Sequence, residues 1–181
     1  MITDLNHFVR LRNRPGLVHW CVRTAFRNAI AWRRAGGVSP IMRAFLDAAR
    51  ATLSWSTDFN DSTQAERREI TVAVERAATR LFKSCLAQRL LTIPVHQIFS
   101  VDPASMADVV VRDQRGRFHI VALTMELDRL RESGVAATLA SEPWTQMRPS
   151  LSMTIHLFSL TTGKRCAFDR QAGSNHVPQA C

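Results

Sequence analysis

Apolar positions recur with a helical period up to Pro94 and a strand-like period beyond it, so the chain predicts helices first and a sheet afterwards. After Pro15-Gly16, the run Leu17 to Arg34 places Val18, Val22, Phe26, Ala29 and Trp32 near one face, and Gly36-Gly37 supplies a stop. Ser39-Pro40 reads as N-cap and first helical position of a helix reaching Ser54, with Ile41, Phe45, Ala48 and Leu53 on its apolar face. Ser56 to Ser62 is a polar loop. Thr63 and Glu66 have capping-box spacing and predict one long helix from Gln64 to Leu90 or Leu91. Its apolar stripe runs through Ile70, Val74, Ala77, Ala78, Leu81, Cys85, Leu86 and Leu90 until Pro94 ends it.

Beyond Pro94 the pattern predicts strands at Val95 to Val101, Ala107 to Asp113 and Arg117 to Thr124, the first two separated by a turn at Asp102-Pro103-Ala104-Ser105. A helix follows from Met125 or Glu126 to Ser133, with Gly134 as its stop, and then a loop containing Pro143 and Pro149. Leu151 to Leu160 is a further strand, and a turn at Thr161-Thr162-Gly163-Lys164 leads to a short strand from Arg165 to Phe168. If Gln114-Arg115-Gly116 form a three-residue hairpin loop with Gly116 left-handed, Asp113 lies opposite Arg117 and Asp108 opposite Ala122. Asp108, Ile120, Ala122 and Thr124 then share one face, and Val109, Val111, Val121 and Leu123 the other. With both faces mostly apolar, the sheet needs cover on each side.

The order from Gln64 onward is αβββαβ. With the stretch Ala107-Asp108-Val109-Val110-Val111-Arg112 through the Gly116 turn to Ile120-Val121-Ala122-Leu123-Thr124, it resembles the PD-(D/E)XK nuclease superfamily in its RecB-type exonuclease form, across residues 64–169. In that pattern an Asp opens an apolar strand, a Gly-containing turn follows, and the return strand ends in Asp or Glu, any residue, Lys. The resemblance implies an α/β (α+β) fold: an αβββαβ restriction-endonuclease-like core at 63–170, its mixed central sheet flanked by helices. An N-terminal basic helical extension would occupy 1–62 and a flexible tail 171–181.

Asp108 stands at the first acid, but Ala122 and Thr124 stand where the second acid and the lysine belong. Two-metal phosphodiester hydrolysis needs clustered carboxylates to hold magnesium and a lysine to orient the attacking water, so no catalytic residue, metal or cofactor is expected. Asp108 is then a relic that bonds local backbone amides. The alternative is an active nuclease using magnesium or manganese with relocated groups. Its candidates are Asp108, Glu69 or Glu75 from the first core helix, and Glu126 and Asp128 after the third strand, with Arg129 or Arg131 replacing the lysine.

Composition bounds what remains. With 181 residues and 46% hydrophobic content the chain can bury one sizeable core with an appendage. Net charge is +9, and residues 1–50 hold nine arginines against only Asp4 and Asp47. Arg10, Arg12, Arg14, Arg23, Arg27 and Arg34, with Trp20 nearby, form a candidate surface for the phosphates of DNA or RNA. The reading is thus a catalytically inactive nuclease-fold module that binds nucleic-acid backbone or serves in a nucleic-acid-processing complex. Its rival is a protein-interaction subunit without nucleic-acid contact, exposing Trp20, Phe26, Phe45 and Trp55. The start Met1-Ile2-Thr3-Asp4 lacks signal-peptide order and no apolar run is of membrane-spanning length, so a cytoplasmic location without membrane contact is expected. Cys21, Cys85, Cys166 and Cys181 are too scattered for a zinc site and read as reduced, mostly buried thiols. His96, His119 and His156 fall on strands without a nucleophile or ligand partner at diagnostic spacing. No G-x-S-x-G, phosphate loop or dinucleotide fingerprint occurs.

Overall fold

A computed structural model of the chain describes residues 3–102, 104–127, 134–136, 138–139 and 152–170, with side chains from Arg14 to Asp169. Helices come first: α1 (Thr3–Arg34), α2 (Met42–Leu53), α3 (Thr57–Asn60), α4 (Gln64–Lys83) and α5 (Cys85–Thr92). A 3-10 turn (Val95–Gln97) leads into β1 (Ile98–Phe99), β2 (Val109–Arg112), β3 (Phe118–Thr124), β4 (Met153–Ser159) and β5 (Arg165–Arg170). They form one five-stranded mixed sheet in the order β1-β2-β3-β4-β5. Neighbours are antiparallel except β3 and β4, which run parallel. A parallel pair needs a crossover, and residues 134–136 and 138–139 within it are helical.

The β2–β3 hairpin has the register its turn dictates. Val109 pairs with Val121, Val110 with Ile120, Val111 with His119 and Arg112 with Phe118. Gly116 sits at φ +81, where a side chain would be strained, and the Asp113 N–H donates to the Arg117 carbonyl at 2.9 Å. Val109, Val111, Val121 and Leu123 join Val22, Phe26, Phe45, Leu81 and Leu91 in one core. Val110, Ile120 and Ala122 join Ile155, Leu157 and Phe168 in a second, covered by Ala136 and Leu139 of the crossover. Helical residues therefore lie on both faces of the sheet. Because α1 and α2 share a core with β2 and β3, residues 14–62 pack as part of the layer that covers the sheet.

Several boundaries differ from the sequence pattern, each for a local reason. α1 begins before Pro15 and runs through it. Arg14, the residue before the proline, is tied to Glu66 and Glu69 of α4, so the chain is anchored where a backbone hydrogen bond is lost. The buried row of α1 continues through Cys21, Ala25 and Ile30, leaving Trp32 58% exposed. Ser39 does not cap α2, whose N-cap is Ile41 without a side-chain bond; its hydroxyl donates to the Leu91 carbonyl at 2.6 Å, satisfying an orphan acceptor at the end of α5. The polar loop after Ser56 holds the short α3, capped by Ser56. Pro94 lies just before the 3-10 turn, which shortens the first strand to Ile98–Phe99 and leaves His96 exposed off the sheet.

The long helix from Gln64 is two helices. The Thr63–Glu66 capping box forms as expected, but Ser84 is extended and serves as C-cap of α4 and N-cap of α5, its hydroxyl accepting the Ala87 N–H at 3.1 Å. The turn exposes Cys85 and buries Ala87, Leu90 and Leu91. Ser84→Ala is expected to lower stability by about 1 kcal/mol in chemical denaturation, with Ser84→Asp retaining the cap and most of that loss restored. Equal stability of the alanine variant would contradict this assignment.

No helix begins at Met125 or Glu126. The Leu160 N–H donates to the Thr124 carbonyl at 2.8 Å, and the Met125 carbonyl accepts from the Thr161 N–H and the Ser159 hydroxyl, so the chain bends at Met125 while tied to the end of β4 and the turn after it. Gly134 is helical and not a stop. The expectations for 128–133, the proline loop, Asp128, Arg129, Arg131 and the tail from Gln171 lie outside the described residues. Among the described residues no helix is long and apolar enough to cross a membrane.

Candidate functional site

His19, Arg23 and Arg27 follow one another at four-residue spacing, so they form a single row on α1. That row faces the sheet. Arg23 Nε reaches Asp108 Oδ1 at 2.5 Å and Arg27 Nε reaches the same oxygen at 2.8 Å. Asp108 Oδ2 accepts the Leu123 N–H at 2.7 Å, and the carboxylate has no solvent exposure. The Arg23 Nη2 group also donates to the Ser105 and Met106 carbonyls, and that of Arg27 to Ser105 and Ala107, which fastens the loop before β2 to the helix. His19 completes the row: its Nε2 donates to the Leu123 carbonyl at 2.8 Å, and since a carbonyl only accepts, Nε2 carries the proton.

Asp108 stands at a bend before β2, and strict alternation fails there: Ala107 and Val110 lie in the second core while Val109 lies in the first. The aspartate therefore does not gather with the other positions of the resemblance. It borders a cleft of about 340 Å³ lined by Thr24, Asn28, Arg34 and Phe99. Ala122 and Thr124 instead border one of about 230 Å³ with Gly16, His19 and Met125. The Thr124 hydroxyl donates to the Glu126 carbonyl.

The residues do not fit a magnesium site. One carboxylate, with Oδ1 shared by two guanidinium groups and Oδ2 taken by an amide, offers a hard dication little beyond nearby positive charge. Glu69 pairs with Arg14 at 2.7 Å, Glu75 with Arg50 at 2.8 Å, and Glu126 is exposed. Among the described residues no three His, Cys, Asp or Glu are placed to hold a metal ion. Of the predicted phosphate-facing arginines, Arg14, Arg23 and Arg27 are engaged within the fold and Arg34 is exposed, while the side chains of Arg10 and Arg12 lie outside the described set. Cys21 is buried, Cys166 half-buried and Cys85 exposed. Burial pushes the Cys21 thiol up to about 12, so it stays protonated and unreactive.

A second polar group escaped sequence reasoning. His119 Nε2 lies 3.2 Å from Asp113 Oδ2 and its Nδ1 lies 3.0 Å from His156 Nε2, with the rings 16° from parallel. The carboxylate only accepts, so a neutral His119 donates from Nε2 and receives at Nδ1 the N–H of His156. His156 Nδ1 is then a buried lone pair with no hydrogen-bond partner among the described residues. Beside it Asp169 accepts from Thr154 and Arg117. Only the parallel register, which sets His156 opposite Val121 and so near His119, could have signalled the pair.

Comparison with protein-family models, with curated proteins and with solved structures finds no match to this chain.

Proposed function

We propose that the chain is a catalytically silent nuclease-fold module that binds nucleic-acid backbone. The observation that carries this reading is the state of Asp108, whose carboxylate is consumed by Arg23, Arg27 and the Leu123 amide while Ala122 and Thr124 border another cleft. Support for the αβββαβ assignment comes from the order of elements after Gln64, the antiparallel β1-β2-β3 meander, and a parallel β4 reached through a crossover with helical residues. Net charge of +9 supplies the attraction to an anionic polymer. Contacts to phosphates carry little sequence information and release counterions, so binding of labelled DNA or RNA oligonucleotides is expected to weaken linearly in log Kd as log salt rises. Affinity unchanged between low and moderate salt contradicts the proposal.

A protein-interaction role is favoured by a different observation. Phe26 and Phe45 are buried, but Trp32 and Trp55 are 58% and 70% exposed, and Val38 and Ile41 are exposed between α1 and α2. Copurification of one stoichiometric protein, with no nucleic-acid absorbance and no oligonucleotide binding, selects this second reading.

A further inference from the structure

The fold spends the arginines of α1 that face the sheet, and leaves a different row of cations outside. Along α4, Arg68, Val72, Arg76, Arg80 and Lys83 follow at spacings of three and four residues and are all exposed. At a rise of about 1.5 Å per residue the row extends roughly 22 Å; Arg76 and Arg80 are one four-residue step, about 6 Å, apart, while Val72 leaves Arg68 about 12 Å from Arg76. None of these cations has a carboxylate within 4.0 Å among the described residues; the nearby Glu75 is held by Arg50 at 2.8 Å.

The row borders a shallow, largely open groove. Glu75, Arg76, Thr79, Arg80 and Lys83 line it from α4 and Gly163 of the β4–β5 turn from the other side, around about 680 Å³. Gly163 takes φ +75, and a Cβ there would come within 3.0 Å of Arg80 Cδ, so the turn lies directly against the Arg80 stem. Arg80 Nη1 donates to the Leu160 carbonyl at 2.6 Å, which fixes its guanidinium before any ligand arrives. A pre-positioned arginine loses less side-chain entropy on binding than a free one.

We infer that this groove is where a nucleic-acid phosphate backbone lies, with Arg76 and Lys83 as pairing cations and Arg80 as the fixed one between them. The inference rests on the nucleic-acid reading above and gives it a location different from the α1 arginines. Arg76, Arg80 and Lys83 outnumber the one carboxylate of the lining, Glu75, which is paired with Arg50, and the resulting positive charge is complementary to a phosphodiester strand.

The test is fluorescence anisotropy of labelled single-stranded and duplex DNA with the full chain across a salt series. The Arg76→Gln/Lys83→Gln variant is expected to bind about tenfold or more weakly at low salt, with the slope of log Kd against log salt reduced by about 1.5 to 2. A control of equal charge, Arg43→Gln/Arg89→Gln, is expected to change affinity less than about threefold, since only the weak long-range field is lost. Arg76→Gln alone should give about half the slope change, and thermal unfolding of all variants should match the parent because these side chains are exposed. Equal losses in the groove and control variants, or an unaltered groove variant, overturn the location while leaving nucleic-acid binding intact. Failure of the unmodified chain to bind any oligonucleotide at low salt overturns both.

Discussion

Asp108→Ala is expected to destabilise the protein by about 3–5 kcal/mol, because it strands two guanidinium groups and a backbone N–H at a site built around one carboxylate. For a chain of this size that is a fall in Tm on the order of 10 °C. The loss has several origins: Arg23 and Arg27 face each other without a counter-charge, the loop carbonyls of Ser105 and Ala107 lose well-placed donors, and Leu123 loses its acceptor. Removing the charges together, as Arg23→Met/Arg27→Met/Asp108→Leu, is expected to recover only the part of the loss that comes from unpaired charge, because the loop carbonyls and the Leu123 N–H stay without their partners. Chemical denaturation of the single and triple variants measures both. A stable Asp108→Ala protein removes the clamp from the account.

Acidification from pH 6.5 to 4 is expected to cost up to about 3 kcal/mol through His156, whose unfolded value is near 6.5. Burial, then the neighbouring His119, then Arg165 push its folded value down to about 4, with Asp169 acting weakly in the other direction. In that window the unfolded chain takes up a proton that the native chain refuses, so stability rises with pH. The contribution is complete above about 6.5 and is lost as pH falls towards 4. The side chain is 8% exposed, which limits screening by solvent. Asp113 at the far end of the pair follows a separate course: burial raises its carboxyl, but the backbone N–H of Arg117, then His119, then the N–H of Arg115 outweigh it and hold it low. Its loss therefore begins near the ordinary carboxylate range, below most of the histidine window. His156→Leu should flatten stability between pH 6.5 and 4, and a parent protein with the same slope as the variant contradicts the assignment.

Local chemistry was legible where one residue leaves the backbone few choices. Gly116 fixed the hairpin, hence its register and the partition of Val109, Val111, Val121 and Leu123 from Val110, Ile120 and Ala122. The Thr63 capping box fixed the start of α4. Ser84 was missed because the apolar period continues across it, and the hydroxyl that breaks the helix leaves no second signal such as a glutamate three residues on.

Pairing over distance was not legible. Arg23 and Arg27 read from the chain as a solvent-facing row, since arginine is usually exposed; only the approach of α1 to the bend at Asp108, about eighty residues on, turns them inward. Likewise Asp108 was placed by strand alternation, and the bend that carries it out of the pleat belongs to the same tertiary contact. The carboxylate and arginines named from sequence are thus real neighbours, in roles set by one another.

The most direct test of the silent-nuclease account is incubation of the purified chain with single- and double-stranded DNA and RNA in magnesium and, separately, manganese. Intact substrate throughout is the predicted result. Cleavage by the parent chain that is lost in Asp108→Asn, measured at a temperature where that variant is still folded, contradicts it.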